Sequence, residues 1–75
     1  MKSEIKREMI TRAELIRGLA NVLIEDGRYI CTDARDFDLI SLSESVREAK
    51  ETIQKLVDNV TELEYSLYLL NKNSR

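Results

Sequence analysis

Cys31 is the only cysteine in the sequence and the first residue to consider for covalent chemistry. A cysteine attacks as its thiolate, and enzymes usually generate that thiolate with a neighbouring histidine. The chain has no histidine, so this pairing is impossible. The sequence therefore predicts that Cys31 is a small buried apolar residue and that the protein is not an enzyme.

Three carboxylates lie close together at Asp33, Asp36 and Asp38. Their spacing differs from that of a calcium-binding loop, and no glutamate follows at the position of its last, bidentate ligand. A zinc site would need cysteine or histidine ligands that the chain lacks. The sequence predicts no metal site and no cofactor. We interpret the aspartates as solvated loop residues and helix caps, with Phe37 turned inward to anchor the loop.

Arg28, Tyr29 and Arg35 are the residues that best suit a small anionic ligand. An arginine fork can grip a phosphate while a tyrosine ring stacks on a base, and copies from two chains could converge on one pocket. Salt bridges to Glu25 and Asp33 are the simpler explanation of the two arginines. The simpler explanation is preferred, and a nucleotide-type site is kept as the alternative.

The charges nearly cancel, at 12 basic and 14 acidic residues with a net charge of −2. The basic residues of the first half do not share one helical face, so nucleic acid or a nucleotide is possible as a partner but not indicated. The apolar runs are far shorter than the ~20 residues that span a bilayer. The sequence thus predicts no membrane association and a cytoplasmic location.

The most specific pattern is an apolar stripe through the second half of the chain, at alternating steps of three and four residues. A stripe with this period requires a second helix to cover it. It predicts one long helix over about residues 43–72. The stripe consists of Leu39, Leu42, Val46, Ala49, Ile53, Leu56, Val60, Leu63, Leu67 and Leu70.

A first helix is predicted over about residues 3–26, with one apolar face from Ile5 to Leu23. The Asp26-Gly27 pair that follows has two readings. It can end the helix before a connector over residues 27–42, or it can form the tight turn of a β-hairpin over residues 21–32. The unbroken apolar face favours the helix end, and an α+β fold with the short hairpin remains the alternative.

The predicted fold is therefore a single helical domain over residues 1–75, an all-α antiparallel helical hairpin with a long heptad-patterned second helix. A chain this small has a marginal core, and with one cysteine it cannot form an internal disulfide. We expect the hairpins to assemble into a helical bundle, as a dimer or a higher oligomer. Because the first helix is the shorter one, the segment from Tyr65 to Leu70 should overhang. The predicted interface consists of Leu19, Leu23, Val57, Tyr65, Tyr68 and Leu69.

These observations together predict a small, non-enzymatic regulatory or accessory protein. Its partners would be itself and another protein, which it binds or inhibits. The alternative is an oligomeric binding module for a nucleotide-type anionic ligand or an oligonucleotide. That alternative depends on the arginines and the tyrosine near the connector.

Overall fold

Two long α-helices joined by a short connection form the fold. The computed structural model describes the backbone of residues 2–73 and the side chains of residues 3–72. Helix α1 spans Lys2–Arg35, and α2 spans Leu39–Asn73. They pack against each other in a rod with principal-axis extents of 56 × 16 × 13 Å. The predicted all-α helical hairpin is confirmed, while Met1, Ser74 and Arg75 of the predicted domain lie outside the described residues.

Helix α1 does not end near Asp26 but continues through Gly27 to Arg35. The predicted connector over residues 27–42 and the alternative β-hairpin over residues 21–32 are both wrong. Asp26 is buried against α2, where it accepts a hydrogen bond from the Thr52 hydroxyl, whose oxygen also lies 3.1 Å from the Glu48 carbonyl of its own helix. A glycine inside a helix costs only about 1 kcal/mol relative to alanine. Packing of the two further turns against α2 outweighs that local preference.

The end of α1 is closed by a residue in the left-handed conformation, Phe37, with φ of 56°. The Asp38 N–H donates to the Asp33 carbonyl at 3.0 Å, and the Phe37 N–H donates to the Ala34 carbonyl at 3.2 Å. These two bonds are those of a Schellman motif, which satisfies the last carbonyls of a helix. The motif reverses the chain within three residues.

Helix α2 begins at Leu39, earlier than the predicted start near residue 43. Asp38 caps it, because its carboxylate accepts a hydrogen bond from the Ser41 N–H at 3.2 Å. The Asp38 carbonyl also accepts the first helical bond, from the Leu42 N–H at 2.9 Å. One aspartate therefore both completes the Schellman motif and starts the second helix.

The two helices have almost the same length, about 50 Å each at 1.5 Å per residue. Ile5 and Glu8 of α1 line a common cleft with Tyr65 and Leu69 of α2. The prediction that the segment from Tyr65 to Leu70 overhangs is therefore wrong. It followed from ending α1 nine residues too early.

Only half of the predicted apolar stripe of α2 faces α1. The five residues of the other half, which we call the outer row, are 46–59% exposed. The seam with α1 instead alternates apolar residues with small polar ones. The outer row is Leu39, Val46, Ile53, Val60 and Leu67. The seam is Leu42, Ser45, Ala49, Thr52, Leu56, Asn59, Leu63, Ser66 and Leu70.

Among the hydrogen bonds of the described residues, those from Arg12, Thr52 and Ser45 cross this seam between polar side chains. Their partners run in opposite directions along the two helices, so the packing is antiparallel. Apolar residues tolerate sliding and rotation, whereas hydrogen bonds fix one register. The bonds run from Arg12 Nη1 to Asn59 Oδ1 at 2.9 Å, from Thr52 Oγ1 to Asp26 Oδ2 at 3.1 Å, and from Ser45 Oγ to Asp33 Oδ2 at 2.7 Å.

The bond between Thr52 and Asp26 provides a test of this seam. We expect Thr52→Val to lower the free energy of unfolding by about 1–3 kcal/mol, because a buried carboxylate loses a donor. The double variant Asp26→Leu with Thr52→Val should recover most of that loss, since both polar groups are gone. Urea denaturation followed by circular dichroism measures both. A single variant as stable as the parent would contradict the buried bond.

Candidate functional site

The main feature of the surface is how much apolar area it exposes. Ala49 is the only hydrophobic side chain that the described chain buries, at 7% exposure, and no large side chain is fully buried. The chain exposes 6422 Å². A compact folded protein of 8.7 kDa is expected to expose about 4,700 Å². We therefore look for candidate sites among the exposed surfaces. The chain exposes roughly 1,700 Å² more than a compact protein of the same mass.

One long edge of the hairpin is apolar on both helices. From α2 it carries the outer row and Val57, which is half-exposed. From α1 it carries small residues at every seventh position, Ala13, Ala20, Gly27 and Ala34. Two charged residues border the apolar row of α2. We call this α2 surface the α2 side face; it comprises Val46, Lys50, Ile53, Val57, Val60, Glu64 and Leu67.

The opposite edge is more polar. Tyr29 lines a cleft there with Glu48, and Glu8 lines another with Glu62. A further open cleft of α1 is lined by apolar residues that include Leu15, Leu19 and Val22. On this edge α2 contributes charged side chains along most of its length, and apolar ones only near its end, at Tyr65 and Leu69.

The predicted interface residues separate into three places. Leu19 and Leu23 are partly buried on the side of α1 that faces α2, so much of their surface is already covered within the chain. Val57 belongs to the α2 side face. The remaining three lie together near the start of α1 and the end of α2, and they are Tyr65, Tyr68 and Leu69.

The tyrosines at that end form a defined surface. The rings of Tyr65 and Tyr68 stack with centroids 6.5 Å apart and an interplanar angle of 26°. Beside them a cleft of about 330 Å³ is lined by Ile5, Tyr65 and Leu69, among others. A tyrosine ring offers apolar area while its hydroxyl tolerates water, which suits the rim of a protein interface. We call Tyr65, Tyr68 and Leu69 the tyrosine patch.

The tip of the hairpin is a surface that sequence reasoning missed. Phe37 is 73% exposed and Ile40 is 78% exposed. The prediction that Phe37 turns inward is therefore wrong. Its left-handed conformation points the residue away from both helices, and glycine is the residue that usually occupies such a position. No residue spacing signals this conformation in advance.

Arg28, Tyr29 and Arg35 do not form one pocket. Arg28 pairs with Glu25 one turn earlier, with 3.3 Å between Nη1 and Oε1 and both side chains exposed. The cleft beside Tyr29 contains neither arginine, and its charged lining residues are Asp33, Glu44 and Glu48. Carboxylates repel an anionic ligand. The nucleotide site stays a prediction without support from this arrangement.

Cys31 is exposed, so the prediction that it is buried is wrong. Within residues 2–73, no group of three or more potential ligands could hold a metal ion. Neither helix, over the same residues, has a stretch long and apolar enough to cross a membrane.

Comparisons with models of protein families, with curated proteins and with solved structures find no match to this chain. Its function is therefore argued from its own surfaces. The exposed surfaces with apolar residues on neighbouring positions include the α2 side face, the tyrosine patch and the tip with Phe37 and Ile40.

The conformation of Phe37 can be tested by comparing two substitutions at that position. Phe37→Gly should be more stable than Phe37→Ala by about 0.5–1 kcal/mol. A Cβ in the left-handed region costs about 1–2 kcal/mol, and part of this gain is lost to the flexibility of unfolded glycine. Urea denaturation of the two variants measures the difference. An alanine variant at least as stable as the glycine variant would contradict a left-handed residue 37.

Proposed function

We propose that this chain is a small, non-enzymatic regulatory or accessory protein that self-associates through its helices and binds a protein partner. The observation that carries the proposal is its exposed surface. Stable obligate dimers bury roughly 1,000–2,500 Å² on each partner. The excess of roughly 1,700 Å² over a compact protein of this mass lies within that range.

The small core supports self-association. Ordering a residue costs about 1–2 kcal/mol of backbone entropy, and α1 and α2 together order most of the chain. Against this, of the apolar side chains that the structure describes, the single hairpin buries one alanine and leaves the larger ones partly exposed. Small domains of this kind are usually reinforced by disulfides, metals or association. With one cysteine and no histidine, association is the reinforcement that fits the sequence.

The tyrosine patch supports the second half of the proposal. It lies at one end of the rod, where the two rings stack on each other and Tyr65 also lines a cleft. Exposed tyrosines cost little side-chain entropy on binding because they have few rotatable bonds. A second protein could be held there while the long edges of the hairpin serve self-association. A cytoplasmic setting remains part of the proposal.

Self-association is tested by sedimentation equilibrium at micromolar concentrations. We expect a dimer or a larger species and a melting temperature that rises with protein concentration, because mass action stabilises an associated folded state. A monomer with a concentration-independent, cooperative melting transition would overturn this part of the proposal.

Partner binding is tested by placing a photo-crosslinking residue at Tyr65 and, as the matched control, at Glu51. Both positions are exposed and lie on the same row of α2, two heptads apart. In an extract of the source cells, position 65 should give an adduct with one heterologous protein, and position 51 should not. Equal labelling at the two positions, or adducts only between copies of this chain, would contradict a partner at the tyrosine patch.

A further inference from the structure

We infer that two copies of the chain pair through the α2 side face, with their α2 helices antiparallel and a two-fold axis at Val57. The inference rests on the proposed self-association and names its interface. The occupant of the face is a second copy of this chain. Geometry, charge and side-chain size each support this arrangement.

The geometry concerns the direction of Val57 around α2. Successive residues of an α-helix are about 100° apart, and Leu56 lies in the seam with α1. The α2 side face lies between the rows of Val57 and Val60, so its centre is about 100° from the midline of the seam, which runs between Leu56 and Asn59. A four-helix bundle has a roughly square cross-section, so the directions from one helix to its two neighbours are about 90° apart. An α2 helix that contacts α1 through Leu56 and a second α2 through Val57 has the geometry of such a bundle.

The charges of the face are self-complementary. Lys50 lies seven residues before Val57, and Glu64 lies seven residues after it. A two-fold axis at Val57 that relates antiparallel helices sets Lys50 of each copy opposite Glu64 of the other. Within the described chain neither side chain forms an ion pair or a hydrogen bond, so both are free for this contact. A parallel arrangement would set each charge against its own copy, which is unfavourable.

The apolar residues of the face match under the same axis. Ile53 comes within one residue of the position opposite Val60 of the second copy, and Val46 within one residue of the position opposite Leu67. These four side chains are 46–50% exposed in the single chain. Pairing them removes the largest regular apolar row from water. An isologous contact of this kind closes as a dimer and does not extend into fibres.

The side-chain sizes on α1 allow the second hairpin to approach. Along this edge α1 presents Ala13, Ala20, Gly27 and Ala34, and a Cβ added at Gly27 would meet no atom within 4 Å. Small residues let helices pack closely. The other edge of the hairpin is a poorer choice, because Glu48, Lys55 and Glu62 occupy its α2 row where the α2 side face has apolar residues.

The first test reverses the charges. Lys50→Glu and Glu64→Lys, each alone, should weaken dimerisation roughly tenfold, because two attractive pairs per dimer become repulsive. The double variant Lys50→Glu with Glu64→Lys should restore the parent dissociation constant. Analytical ultracentrifugation measures all three. Circular dichroism checks that the helices remain folded.

The matched control makes the same charge changes on the opposite edge, with Lys55→Glu and Glu62→Lys. These positions are exposed, and the net charge changes are identical. We expect the dissociation constant to stay within twofold of the parent. An equal loss in the control variants would show that net charge, and not the Lys50 to Glu64 contact, governs association, and it would overturn the inference.

A second test needs no change of charge. In a Cys31→Ser background, Val57→Cys should form a disulfide between two copies under mild oxidation, because the axis brings the two residues together. Glu51→Cys, also exposed on α2, is the control and should cross-link slowly. If position 51 cross-links as fast as position 57, the axis is not at Val57 and the inference is wrong.

The outcomes separate this inference from the proposed function. If the dissociation constant is unchanged by the charge reversals and position 57 does not cross-link, the α2 side face is not the dimer interface. The proposed self-association would still hold. A chain that stays monomeric at micromolar concentration overturns both. A dimer that responds to the single reversals, recovers in the double variant and cross-links at position 57 establishes the arrangement.

Discussion

Two packed helices share a single line of contact, and every other feature of this chain follows from that limit. The heptad stripe of α2 is wide enough for two such lines. The seam with α1 uses one half of it, and the outer row from Leu39 to Leu67 stays exposed. A helical hairpin has no other element with which to cover that row. The surface that remains is therefore a consequence of the architecture and not of loose packing.

The polar bonds across the seam favour the half of the stripe that faces α1. Rotating α2 to place Ile53 and Val60 against α1 would bury more apolar area. It would also separate Thr52 from Asp26, a carboxylate that the fold has already removed from water. A buried acceptor without its donor costs about 1–3 kcal/mol. Such polar pairs can therefore favour one rotation of the helix over a more apolar alternative, the specificity role that polar residues have in helical bundles.

The sequence predicts the helical hairpin well, because periodicity over thirty residues is a strong signal that no single residue can cancel. It fails at Gly27 and at the start of α2, where local preferences of about 1 kcal/mol oppose packing that depends on residues far along the chain. It also fails for Phe37, because glycine is the expected residue at a left-handed helix end. The rotation of α2 about its own axis could not be predicted. It depends on hydrogen bonds of Ser45, Thr52 and Asn59 to residues of α1 that only the three-dimensional structure identifies.

Periodicity in the sequence also predicts some residues of the candidate surfaces and not others. Val57 and the tyrosines were found from the sequence because they are apolar residues outside the stripe. Leu19 and Leu23 were assigned to the same interface, although they lie on the side of α1 that faces α2 and are partly buried there. The outer row was assigned to the intrachain core, because its residues belong to the stripe that was expected to face the first helix. The outer row can contact a second copy only if the seam with α1 leaves that row exposed. The hydrogen bonds that fix the seam thus also determine which residues are available for association.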